Sequence, residues 1–198
     1  MQVLKDELKK KLLEAALDEF KKKGFQKSSM RSIAKKSGMT VGNLYRYFRN
    51  KEDLFDAVVR PSFNKILEII NELSDLSDMR KNGFGNFMEY TANCIVEYQR
   101  KFKQQYVILL YGSKGTKYEQ AKQNIILLIE DCIKERLFKD VEANGSVIKD
   151  YFLANAIATA FFEGLAKIIS HYKDECMIKS VISQYVAFYF KHADKRFA

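Results

Sequence analysis

Residues 28–54 read SSMRSIAKKSGMTVGNLYRYFRNKEDL, and their punctuation decides the fold. Ser28 or Ser29 supplies the oxygen that opens a helix over MRSIAKKS, with Met30, Ile33 and Ala34 on its inner side. Gly38 ends that helix, because a tight turn between crossed helices favours a residue free to take positive φ. Thr40 opens a third helix by accepting a hydrogen bond from the Asn43 amide. Asn50 opens a fourth, with Glu52 and Asp53 in its first turn, where the helix dipole favours negative charge. Two helices of roughly eight to ten residues, joined through Ser37, Gly38 and Met39, make a helix-turn-helix.

Wound at about 100° per residue, the third helix puts Val41, Leu44 and Phe48 inward and Gly42, Asn43, Tyr45, Arg46 and Arg49 outward or to the flanks. A glycine in so short a helix costs up to ~1 kcal/mol against alanine, so its bareness calls for a use. Gly42 lets the backbone approach a groove wall. Thr40 and Asn43 bring short hydrogen-bonding groups to a helix N-terminus, where phosphate is favoured. Tyr45 suits a thymine methyl or a phosphate, and Arg46 a phosphate or a guanine edge. Lys51 suits a phosphate at the start of the fourth helix, while Ser28, Ser29 and Arg31 suit the opposite backbone. Tyr47 lies between the two faces. With Val41 at its inner edge, this is the set assigned to duplex DNA.

Further out, Leu8, Leu12, Ala15, Ala16, Leu17 and Phe20 mark an amphipathic first helix over about 3–23, closed by Gly24, with Phe25 folding back on it. The 198 residues carry a net charge of +9. Residues 1–51 hold fourteen Lys and Arg against five Asp and Glu, and the rest of the chain is balanced. That is a polyanion-binding head on a neutral body. Past Pro61, which is expected to kink or break the fourth helix, the pattern predicts helices over 62–76, 82–102, 104–111, 117–138, 147–172 and 175–192. The breakers are DMRKNGFG, YGSKGT and DVEANGS. One proline and nine glycines do not supply the turns of a β-sandwich or barrel. The fold is therefore all-α. A DNA-binding domain covers residues 1–50, with the start of the fourth helix reaching about 60, and a helical effector and dimerisation domain covers 51–198.

No segment is expected to reach a membrane span, and three scattered cysteines fit a reducing cytoplasm. His171 and His192 have no partners at metal-ligand spacing, so neither metal, cofactor nor catalysis is expected.

Ala15-Ala16 then Phe20, Gly24-Phe25, Ser29-Met30-Arg31-Ser32-Ile33-Ala34, Gly38-Met39-Thr40, Gly42-Asn43-Leu44-Tyr45-Arg46-Tyr47-Phe48 and Lys51-Glu52-Asp53-Leu54 together resemble the DNA-binding head of the TetR family of bacterial repressors. The resemblance covers roughly residues 8–59. It implies a homodimer on a near-palindromic operator, released by a small molecule bound in the second domain. It places family DNA contacts on Ser29, Thr40, Gly42, Asn43, Tyr45, Tyr47 and Lys51. Two other readings of the basic head are a chromosome-organising protein without an effector, and a helical module for RNA or an anionic membrane surface.

In the second domain the last two helices are the expected dimer surface, through Ala154, Ala158, Phe161, Phe162, Leu165, Val181, Tyr185 and Phe188. The middle helices are expected to line a pocket for an aromatic or lipophilic compound, from Phe87, Tyr90, Thr91, Cys94, Tyr98, Tyr106, Asn155, Thr159 and Glu163.

Overall fold

A computed structural model describes residues 2–74, 77–135 and 152–191. These form eight helices and no strand among the described residues: α1 (Gln2–Lys27), α2 (Met30–Ser37), α3 (Val41–Tyr45), α4 (Lys51–Ser74), α5 (Ser77–Tyr111), α6 (Ala121–Ile133), α7 (Phe152–His171) and α8 (Glu175–Phe190). The helix ends expected at 138, 147 and 192, the DVEANGS breaker and His192 lie outside the described residues.

The chain packs as two compact units. The first takes residues 1–66 and 102–122, the second 67–101 and 123–198. The basic head therefore includes a stretch far along the chain. Leu12, Ala16, Phe20, Phe25, Ile33, Leu44, Phe48, Leu54 and Phe55 share one core with Ile108, Leu109, Tyr118 and Ala121. Phe20, Phe25 and Phe55 meet edge to face or tilted, with centroids 4.9–6.4 Å apart. Gly24, at φ 67°, turns the last residues of α1 aside, and the Phe25 amide donates to the Gly112 carbonyl at 2.7 Å. A β-carbon on Gly112 would stand 3.5 Å from the Gly24 Cα and 3.0 Å from the Ile108 oxygen.

Charge ties the same unit together. Glu19 is fully buried, and its carboxylate meets Lys23 and Lys36 at 2.7 Å each. Burial works against that charge, yet the hydrogen bonds from Lys23, Lys36 and Ser32 hold the carboxyl down at about 2. Asp56, buried on α4, accepts from the Tyr118 hydroxyl at 2.7 Å and pairs with Lys117 at 2.6 Å and with Arg60.

In the second unit, Ala92, Ile95, Phe161, Ile169, Ile178, Ile182 and Val186 make the core. The α7–α8 pair is keyed by Tyr185, whose hydroxyl donates to the Ala160 carbonyl at 2.9 Å while its ring stacks on Phe161 at 5.5 Å. The phenol passes over Gly164, where a methyl would overlap it. Buried Gln99 donates to the Ile169 and Tyr172 carbonyls, tying α5 to the end of α7.

Several expectations need amending. Pro61 neither ends nor divides α4. It sits on the exposed side of an unbroken helix, where the missing amide costs one backbone bond. The segments expected at 82–102 and 104–111 are one helix, whose non-helical residue is Gly83. The first helix breaks at Gly24 as expected, and a further helical turn follows it to Lys27. α7 is, by length and composition alone, apolar enough to cross a membrane, contrary to expectation, because its Ile, Leu and Phe residues outweigh Asn155, Glu163 and Lys167. One side of it is buried against α8 and the core.

Glu19→Gln should lower the stability of the first unit by about 1–3 kcal/mol at pH 7, a buried pair discounted for its partly exposed lysines. Because the folded-state pKa is depressed, the wild type loses this advantage as pH falls from about 4.5 towards about 2. Thermal melts of the two proteins should converge over that interval. Gly164→Ala should cost about 1–3 kcal/mol through the overlap with Tyr185, read as a lower melting temperature.

Candidate nucleic-acid interface

Four caps hold the helix-turn-helix in place. Ser29 Oγ accepts from the Ser32 amide at 3.1 Å and starts α2. Gly38, at φ 72° and ψ 20°, closes α2 in the left-handed conformation, and the Met39 amide reaches the Ala34 carbonyl at 2.9 Å. Thr40 Oγ1 accepts from the Asn43 amide at 3.1 Å and starts α3. Asn50 Oδ1 accepts from the Asp53 amide at 2.7 Å, and the Asp53 carboxylate accepts in turn from the Arg49 amide at 3.1 Å. All four were legible from residue type and spacing.

α3 itself is shorter than the expected span. Its helix ends at Tyr45, and the Tyr47 and Phe48 amides both return to the Leu44 carbonyl as the chain turns. Leu44 is fully buried and Phe48 nearly so. Their burial fixes which side of α3 faces out. Thr40, Gly42, Tyr45, Arg46 and Arg49 form the exposed set, with Tyr45 half exposed to solvent and nothing near the place where a Gly42 β-carbon would stand. Asn43 is half-buried beside them. Val41 and Tyr47 are half-buried and pack against the core, so they border the ridge without forming its crest. Ser29 and Arg31 are exposed at the start of α2.

Two assigned residues are turned to other work. Ser28 is buried, and its hydroxyl donates to the Gly24 carbonyl at 2.5 Å, so it does not belong to the exposed set. Lys51 places its ammonium on the Phe25, Gln26 and Ser28 carbonyls at 2.8, 3.4 and 3.1 Å and over the Phe25 ring at 4.2 Å. It neutralises the carbonyl end of α1 from inside the head. No local pattern announces either commitment, because both depend on α1 and α4 meeting.

The residues expected to line a pocket divide between the two units. Tyr106 is buried and belongs to the first unit; the others belong to the second. Tyr90 is exposed, its hydroxyl on Glu72 at 2.8 Å. Thr91 is buried and donates to the Phe87 carbonyl, with Phe87 and Cys94 half-buried and Tyr98 buried. Asn155 donates to Glu130 at 2.6 Å, and that bond, with Lys134, holds the buried Glu130 carboxyl below the usual range. Sequence reasoning missed Glu130; an acid on the apolar run NIILLIEDCI was its one signal. Thr159 and Glu163 are half-buried.

Residues 12–58 match the family described as bacterial regulatory proteins, tetR family. The chain is 30% identical over 71 residues to YfiR of Bacillus subtilis, named an HTH-type transcriptional regulator, covering 36% of this chain and 35% of that one. The match thus spans about a third of that relative's length. YhgD of Bacillus subtilis, named likewise, is 25% identical over 134 residues, 68% of this chain and 67% of its own. A TetR-family regulator of Streptomyces coelicolor, SCO3833, shares the fold with a TM-score of 0.63 at 20% identity, over 90% of this chain and 89% of its own.

The glycine before α3 and the one within it should respond differently. Gly38→Ala is forced into a left-handed residue and should cost about 1 kcal/mol. Gly42→Ala gains helix propensity in open space and should leave stability unchanged or raise it by up to about 1 kcal/mol. Chemical denaturation of both variants checks this.

Proposed function

From a chain whose residues 12–58 belong to the tetR family of bacterial regulatory proteins, we propose a transcriptional regulator that binds a near-palindromic duplex operator as a homodimer and is released by a small molecule. The observation that carries this reading is the exposed crest of α3. Gly42 presents bare backbone, Tyr45 a half-exposed ring and Arg46 an exposed guanidinium, while Leu44 and Phe48 anchor the opposite side. A major groove about 12 Å wide admits such a helix, and the side chains read base edges and phosphates within it. Thr40 and Asn43 stand at the entry, and Ser29 and Arg31 hold the neighbouring backbone.

A dimer puts two such crests in successive grooves, ~34–36 Å apart. The pairing surface of this reading is on α7 and α8. Ala154, Ala158, Phe161 and Phe162 are buried within one chain, and Leu165, Val181 and Tyr185 are half-buried. What remains outward is Phe188, 67% exposed, with Phe152, Leu153 and Met177. Ala156 and Ala160, also exposed, let a partner helix come close. An aromatic or lipophilic effector held in the second unit would change the spacing of the two crests, and both could then no longer engage one operator.

Selection of duplexes from a random pool should recover a near-palindrome, and failure to enrich any sequence over random competitor refutes the reading. On the recovered duplex, Tyr45→Ala should lose roughly 10- to 100-fold in affinity, the worth of one good base contact, and Gly42→Ala should lose a similar factor because its methyl holds the backbone off the groove wall. Phe188→Asp should shift sedimentation from dimer to monomer.

A further inference from the structure

The inward side of α1 changes character along its length. Lys5, Lys9, Leu12, Ala16 and Phe20 succeed one another at three- and four-residue steps and so share a face. Leu12, Ala16 and Phe20 on that face are buried in the head's core, whereas Lys5 and Lys9 are exposed. The helix thus runs on for two turns beyond the core with a cationic face where its packing face had been. The remaining charges of these turns balance locally. Lys10 has Asp6, Glu7 and Glu14 within three or four residues, and Lys11 has Glu7 and Glu14. Lys5 has no acid at such spacing, and Lys9 has only Asp6, at the border of the face. The direction of the overhang is set by α2. Ser28 bonds to Gly24, and Lys36, near the other end of α2, reaches Asp18 and Glu19. α2 therefore doubles back along α1, and the Gly38 turn and α3 follow from its far end, beyond the level of Asp18. Met39, Val41 and Leu44 accordingly share a core with Leu12 and Leu13.

We propose that Lys5 and Lys9 form a second duplex-DNA contact, a phosphate clamp beside α3 that lies outside the residues 12–58 shared with the family. This rests on the DNA-binding reading above. Two lysines one turn apart suit adjacent phosphates on the strand bordering the groove, and each such contact releases counterions on binding. The test compares two double variants of equal charge change, Lys5→Gln/Lys9→Gln and Lys10→Gln/Lys11→Gln, on a duplex recovered from a random pool by the wild-type protein. The first pair removes four phosphate contacts from a dimer, so it should lose at least tenfold in affinity at low salt and lower the slope of log affinity against log salt by about four. The second pair should lose little, Lys5→Arg/Lys9→Arg should keep wild-type binding, and melting temperatures should stay together. Equal losses in the two Gln pairs, or no loss in either, overturn the clamp while leaving the α3 reading intact. A wild type that binds no duplex overturns that reading and the clamp with it. A loss seen only on phosphatidylglycerol vesicles assigns the lysines to a membrane surface instead and overturns the clamp.

Discussion

The head is organised around one buried carboxylate. Glu19 has no contact with solvent, and its charge is held by Lys23 from its own helix and by Lys36 and Ser32 from α2. A buried acid deprived of one such partner is far costlier than an exposed pair is valuable, so these side chains fix α2 against α1 more firmly than apolar contact alone. The turn and α3 inherit that placement. Gly38 turns from a fixed point, Met39 and Val41 close over the core, and Leu44 drops into it. The outward crest of α3 is a consequence of where its inward side is held.

The second unit solves a different problem, the close approach of two antiparallel helices. α7 offers Gly164 as a seat, and Tyr185 on α8 occupies it with both its ring and its hydroxyl. Burial, with the neighbouring Tyr189 hydroxyl, holds that phenol above its ordinary range, so it stays a donor to the α7 backbone. The register fixed there decides which side chains of the pair stay outside: Phe188 on α8, Phe152 and Leu153 at the start of α7.

Local chemistry was readable where a residue acts on its own neighbours. Ser29, Thr40 and Asn50 cap as their spacing implies, and Gly38 takes the conformation that its place between two helices requires. Periodicity likewise separates Leu44 and Phe48 from Tyr45 and Arg46. Ser28 and Lys51 escape such reading because their partners lie on helices brought together only by packing. The small residues of α7 read equally well as a surface for a second chain or as the inner lining of this one. Periodicity gives the width of an apolar stripe, not the element that covers it. Pro61 departs from expectation for a related reason: an exposed proline removes one bond, and a long helix packed on its other side retains the rest.

The core of the head is finished by residues that come late. Ile108, Leu109, Tyr118 and Ala121 fill it, and the Gly112 carbonyl receives the Phe25 amide. During synthesis, then, the first sixty residues leave the ribosome with the Phe20, Phe25 and Phe55 rings only partly covered. They wait until about as many again have emerged. A nascent chain stalled in that interval would carry an unfinished reading head with an aromatic wound, well suited to capture by a holding chaperone. Completion of the head is thereby deferred until the loop after α5 has been made.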